Sequence, residues 1–200
     1  MRATRTNAAL AILLCLLMAA GTALAGVGAQ EFVRTKLDEI SAILRTSHGD
    51  AREKRVRSAM DSAFDYDALA ASSLGKHWQS RSPAEQREFT DLLKQLVRRS
   101  YRKSLDKTLG WSLQLQGESP ASDGVRVATI AKDNKNPKNA PVGIDYVLHQ
   151  TKEGWRVVDV VVEGSSLVAN YRNQFNKVIR KGGFADLLSK MKRRLAKPED

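Results

Sequence analysis

The chain has 200 residues, 42% of them hydrophobic and 28% charged, with one cysteine and a net charge of +11. That size and balance fit one globular domain with a normal core and exclude a disulfide-stapled scaffold or a low-complexity chain. The basic excess points to an anionic partner, such as nucleic acid, an anionic membrane face or an acidic protein surface.

Arg2 and Arg5 precede an uncharged apolar run over residues 8–20, and Ala23-Leu24-Ala25 has a small-x-small pattern. This predicts a secretory signal peptide over residues 1–25. The alternative, a retained membrane anchor, has a run at the short end for a spanning helix. Cys15 lies inside the run, and Leu13-Leu14 before it are too large for a lipoprotein signal. The mature chain is therefore expected to lack cysteine and to depend on its core. Taking Arg2 and Arg5 from 33 basic residues leaves 31 against 22 acidic ones, a net +9. Export argues against nucleic acid as the partner, and the bacterial periplasm is the expected location.

Over residues 30–46, Val33, Leu37, Ile40 and Leu44 recur every three or four positions, which predicts an amphipathic helix. His48-Gly49-Asp50 breaks it, and a second helix runs through Val56, Met60 and Ala63. Asp65 suits the cap of a short third helix ending near Gly75. Ser82-Pro83-Ala84-Glu85 is a capping box with proline at the first helical position. The helix after it carries Phe89, Leu92, Leu93, Leu96, Val97, Tyr101 and Leu105 on one face, and Gly110 stops it. Its other face bears Lys94, Arg98, Arg99, Arg102, Lys103 and Lys107.

The period then changes to two. Trp111, Leu113 and Leu115 alternate with polar residues, and residues 125–131 read as a second strand. Residues 134–141 form a turn or a longer hairpin loop. Val142, Ile144, Tyr146 and Leu148 face one way in a third strand, and Lys152-Glu153-Gly154 connects it tightly to a fourth. There Val158, Val160 and Val162 alternate with Asp159 and Glu163, which predicts one apolar and one polar face. Helices return with the stripe Leu167, Tyr171, Phe175 and Val178/Ile179, a break at Gly182-Gly183, and a last helix through Phe184, Leu187, Leu188, Met191 and Leu195. The expected organisation is one α+β domain over residues 26–200. It is helical over 30–110, has its sheet over 111–163, and ends in helices over 165–195. Four antiparallel strands form a twisted meander, and helices cover one face of it.

Candidate chemistry is sparse. Gly164-Ser165-Ser166-Leu167-Val168 resembles a nucleophile elbow, G-x-S-x-G, but has valine in place of the second glycine. Helix capping accounts for these serines more simply. Asp65 and Asp67 lie two positions apart on a helix and point in different directions, so they read as cap and first-turn charge. His48, His77 and His149 lack metal-pair spacing, and no metal is expected. The basic helix face, with Arg172, Lys177, Arg180 and the cluster 190–194, reads as a solvated face or as a docking surface for anionic headgroups. The strand and helix stripes would meet in one apolar layer, either packed or hollow. Periodicity alone leaves three classes open: a carrier, a small hydrolase or isomerase using Ser166 or Asp159, and a basic interaction module with a solid core.

Two segments carry a family likeness. Residues 64–101, FDYDALAASSLGKHWQSRSPAEQREFTDLLKQLVRRSY, and residues 155–192, WRVVDVVVEGSSLVANYRNQFNKVIRKGGFADLLSKMK, closely resemble the MlaC-type family, also called toluene-tolerance proteins. The likeness spans roughly residues 64–195, while residues 30–63 match only in helical character. The resemblance implies a monomeric periplasmic phospholipid carrier. It would shuttle lipid between an outer-membrane lipoprotein complex and an inner-membrane ABC transporter that maintain outer-membrane lipid asymmetry. It implies no catalytic residues, no metal and no cofactor, with phospholipid as cargo held in a cavity between sheet and helices. Alternation and helix faces then nominate the pocket wall: Leu93, Val97, Tyr101, Leu105, Val127, Ile144, Tyr146, Leu148, Val158, Val160, Val162, Leu167, Tyr171 and Phe175.

Overall fold

The computed structural model describes residues 28–198 apart from 109 and 123, leaving aside the side chains of 103–108. The expected signal peptide, with Cys15, and the side chains of Lys103, Leu105 and Lys107 lie outside the described residues. Helices α1 (Ala29–Thr46), α2 (Gly49–Ala63), α3 (Tyr66–Leu74) and α4 (Pro83–Thr108) come first, with a 3-10 turn (Gly75–His77) after α3. Strands β1 (Trp111–Ala121), β2 (Gly124–Asp133), β3 (Val142–Thr151), β4 (Gly154–Val162) and β5 (Ser165–Ser166) follow, and α5 (Leu167–Ala196) closes the chain.

The helix starts follow from local chemistry. Asp65 accepts the Ala68 N–H at 2.8 Å to open α3. The Glu85 carboxylate accepts the Ser82 N–H at 2.8 Å, and the Ser82 hydroxyl accepts the Glu85 N–H at 3.3 Å, so the capping box opens α4 as expected. Inside α5, Gly183 has φ 79° and ψ 179°, a kink between two helical segments where the sequence predicts a break.

All strands pair antiparallel in the order β1-β2-β3-β4-β5. The sheet has five strands, not four. Glu163 (φ 48°) and Gly164 (φ 75°) both take positive φ, as a two-residue hairpin turn of the mirror-image type requires. They fold Ser165 and Ser166 back onto Val162 and Val161. The other half of the β4 edge is met by Phe64, bridged in parallel to Val157, with the Asp65 N–H donating to the Val157 carbonyl at 3.0 Å.

One face of the sheet is buried. Val127 lies opposite Tyr146, and Tyr146 opposite Val160. A register shift between Val147 and Leu148 leaves Val158 unpaired and sets Val157 opposite Leu148. This bulge inverts the alternation over the first half of β4. Val157 therefore joins the core and Val158 does not, which corrects the strict alternation expected from sequence. Val162 keeps the expected parity but sits beside the hairpin tip and is 42% exposed, so it too leaves the predicted layer. The helices pack on the buried face in one contiguous cluster, from Val33, Ile43 and Met60 through Leu69, Phe89 and Leu93 to Val168, Phe175 and Met191.

Candidate functional site

The sheet contributes Val127, Tyr146, Leu148, Val157 and Val160 to the interior, and α4 faces them with Phe89, Leu93, Leu96 and Val97. Phe89 is fully buried and central to an aromatic cluster. Its ring meets Phe175 edge-on at 5.4 Å, Trp78 at 6.4 Å and Phe184 at 6.2 Å, and Tyr171 stacks on Phe175 at 5.3 Å. Such rings supply a broad apolar surface with few rotamers.

Two tyrosines cross this layer. Tyr101 from α4 and Tyr146 from β3 lie close enough for their phenols to interact. Burial pushes the Tyr146 phenol well above its ordinary pKa and raises that of Tyr101. Both phenols thus stay neutral in an apolar layer, and neither is suited to act as a base.

Of the sequence-nominated residues, Leu93, Val97, Val127, Tyr146, Leu148, Val160 and Phe175 are buried together, and Tyr101, Ile144, Leu167 and Tyr171 pack half-buried against them. Val158 and Val162 fall outside, and the Leu105 side chain lies beyond the described residues. Sequence reasoning missed Val157, because no local signal marks the bulge. It also left out Leu187 and Met191, although both stand on the apolar stripe of the last helix.

Two open grooves border the interior. One, about 370 Å³, lies between α1, α2 and α4 and is lined by Leu44, Val56 and Met60 with Arg52, Arg57 and Arg98. The other, about 740 Å³, lies between α4 and the two segments of α5, with Leu96, Tyr171, Phe175, Val178, Leu187 and Met191 among its lining. Arg99 borders both.

The candidate catalytic groups have structural partners. Ser166 donates to Asp159 at 2.5 Å and accepts the Ala169 N–H at 2.9 Å. Asp159 also accepts the Val168 N–H at 3.0 Å and the Val160 N–H at 2.8 Å. This is a double cap on the first turn of α5, tying it to β4. No histidine is recorded on the pair: His149 bonds to Asp65 at 2.9 Å and His77 to Asn176 at 2.8 Å. Among the described residues no group of three His, Cys, Asp or Glu is placed to hold a metal. Among them, too, no helix is long and apolar enough to cross a membrane.

Much of the basic helix face is engaged within the fold, not simply solvated. Arg98 and Lys94 both pair with Asp61 on α2, and they lie over the Tyr66 ring at 6.0 and 4.9 Å. Arg102 pairs with Glu53 at 2.8 Å. Arg99 donates to four carbonyls at the end of α5, those of Arg194, Leu195, Lys197 and Pro198, at 2.8–3.0 Å. Arg172 does the same for α3, donating to the Ser72 carbonyl at 2.8 Å. A guanidinium at a helix C-terminus satisfies orphan carbonyls and meets the negative end of the dipole.

Known proteins share this arrangement. A phospholipid-binding protein from Ralstonia solanacearum, solved in complex with a phospholipid, is 26% identical. The match covers 84% of this chain and 97% of that one, with a TM-score of 0.71. A family model, described as MlaC protein, matches residues 34–193 and so extends the likeness through α1 and α2, where the sequence showed only helical character. Family match, fold and apolar layer agree, and the chain belongs to the MlaC family.

Proposed function

We propose that the protein is a periplasmic phospholipid carrier. In this reading it shuttles lipid between an outer-membrane lipoprotein complex and an inner-membrane ABC transporter, and so helps maintain outer-membrane lipid asymmetry. The acyl chains would lie in the layer between the sheet and α4–α5, where Leu93, Val97, Tyr146, Leu148, Val160 and Phe175 converge. The observation that carries the reading is that convergence, in a fold shared with a relative whose structure holds a phospholipid.

The energetics suit a carrier. Burying hydrocarbon is worth ~0.8 kcal/mol per methylene, so ten buried methylenes contribute roughly 8 kcal/mol. Escape into water would be slow, and unloading would need a partner that opens the layer or abuts it. The Tyr101–Tyr146 pair crosses the same layer, so cargo would have to pass beside the pair or separate it.

The test is extraction of the purified protein with organic solvent, alongside native mass spectrometry. A mass increment that matches phospholipid recovered in the extract is expected. Apo mass alone with a lipid-free extract would sink the reading.

A further inference from the structure

The arm of α5 beyond Gly183, residues 184–196, lies along α4. Phe184 sits under Arg81 at 4.9 Å, Lys192 pairs with Glu88 at 2.6 Å, and Arg99 holds the end of the arm by four carbonyls. Between this arm, α4 and the first segment of α5 is the larger groove. Its floor is apolar: Leu96, Phe175, Val178, Leu187 and Met191. Its rim holds Arg99, Lys190, Arg193, Arg194 and Lys197, and among the described residues no aspartate or glutamate lines it.

Some of those cations are occupied. Lys190 pairs with Asp186, Arg193 donates to the Ser189 hydroxyl, and Arg99 is bound to the carbonyls. Arg193, whose hydroxyl partner carries no charge, joins Arg194 and Lys197 in concentrating positive potential over an apolar floor, and Arg194 lies within electrostatic reach of Tyr171 at the boundary. An apolar floor under a cationic rim complements an amphiphile with an anionic head.

We propose that this groove seats the polar end of the lipid and selects headgroups of net negative charge, with the phosphodiester among Arg193, Arg194 and Lys197 and the first methylenes on the floor. The inference rests on the carrier reading and adds a specificity to it. A phosphatidylglycerol head leaves its single negative charge to the rim. A phosphatidylcholine head brings its own ammonium to this cationic rim, where the lysine and arginine charges repel it.

The test uses delipidated full-length protein and vesicles of phosphatidylglycerol and phosphatidylcholine mixed in equal amounts, so that both lipids share one docking surface. Native mass spectrometry reads the ratio bound. Wild type is expected to favour phosphatidylglycerol. The triple variant Arg193→Gln, Arg194→Gln, Lys197→Gln should lower that ratio about tenfold, at about 1.4 kcal/mol per factor of ten and up to ~1 kcal/mol per charge. Wild-type preference should also fall as salt rises. That second measurement stands even if the variant folds poorly. An unchanged ratio in a folded variant, or a wild-type ratio indifferent to salt, overturns the seat while leaving the carrier intact. A wild-type chain that takes up neither lipid overturns both.

Discussion

Arg99 is the most informative single residue to remove. Its Nη1 donates to the carbonyls of Arg194 and Leu195 at 2.9 and 3.0 Å, and its Nη2 to those of Lys197 and Pro198, both at 2.8 Å. In Arg99→Met the apolar stem survives and the fork is lost. Water replaces much of each bond at this half-exposed site, so the four bonds and the dipole contact together are worth about 2 kcal/mol. The arm is held independently by Phe184, Leu187 and Met191, all buried, at roughly 2 kcal/mol each or about 6 kcal/mol together. The apolar anchors therefore outweigh the latch. Amide exchange at residues 193–197 should quicken about thirtyfold, the factor that 2 kcal/mol represents. Amides of residues 184–188 should change by less than about twofold. Hydrogen exchange followed by NMR reads both. Release of the whole arm, or unaltered exchange at its end, would refute this division of labour.

Ser166→Ala and Asp159→Asn should each cost about 1 kcal/mol in urea unfolding, as lost caps, and leave lipid occupancy intact. A hydrolytic or isomerase activity abolished by either change, with the fold preserved, would instead favour an enzyme. Alkaline pH tests the buried phenols. Burial, followed by the Asp61 charge, pushes the Tyr66 pKa up to about 12. A raised folded-state pKa means its contribution is complete below pH ~10 and is lost as pH climbs to about 12, because the unfolded chain gives up the proton first. Stability should therefore decline over that window by roughly 1.4 kcal/mol per unit for Tyr66, with Tyr101, Tyr146 and Tyr171 acting in the same direction. Tyr66→Phe should flatten the slope by about one proton. Urea midpoints at several pH values between 9 and 11 check this, and parallel wild-type and variant curves would contradict it.

Wherever a few adjacent residues decide the outcome, the structure was legible in the sequence. Ser82 and Glu85 satisfy each other's backbone within one turn, and Asp65 and Ser166 cap the helices they precede. The stripes of α4 and α5 face inward as their spacing indicates, and most of the nominated wall, from Leu93 to Phe175, converges. The failures share one cause. Val158 was misplaced because a bulge is a mismatch between two strands, invisible in either alone. The fifth strand was missed because Glu163 is an unusual residue at positive φ, so the turn looked like a simple strand end.

The basic residues mark the same boundary. Their number and helical spacing are properties of the sequence, and so is the net charge that favours an anionic partner. Which of them bind within the fold depends on partners far along the chain. Arg99 caps a helix that ends nearly a hundred residues later, and Arg98 neutralises Asp61 on another helix. Backbone capping and apolar periodicity act over three or four residues, so the sequence alone determines the elements and their buried faces. Register, the kink of α5 onto α4, and the cations left around the groove arise from contacts between distant segments, and only the tertiary structure decides those.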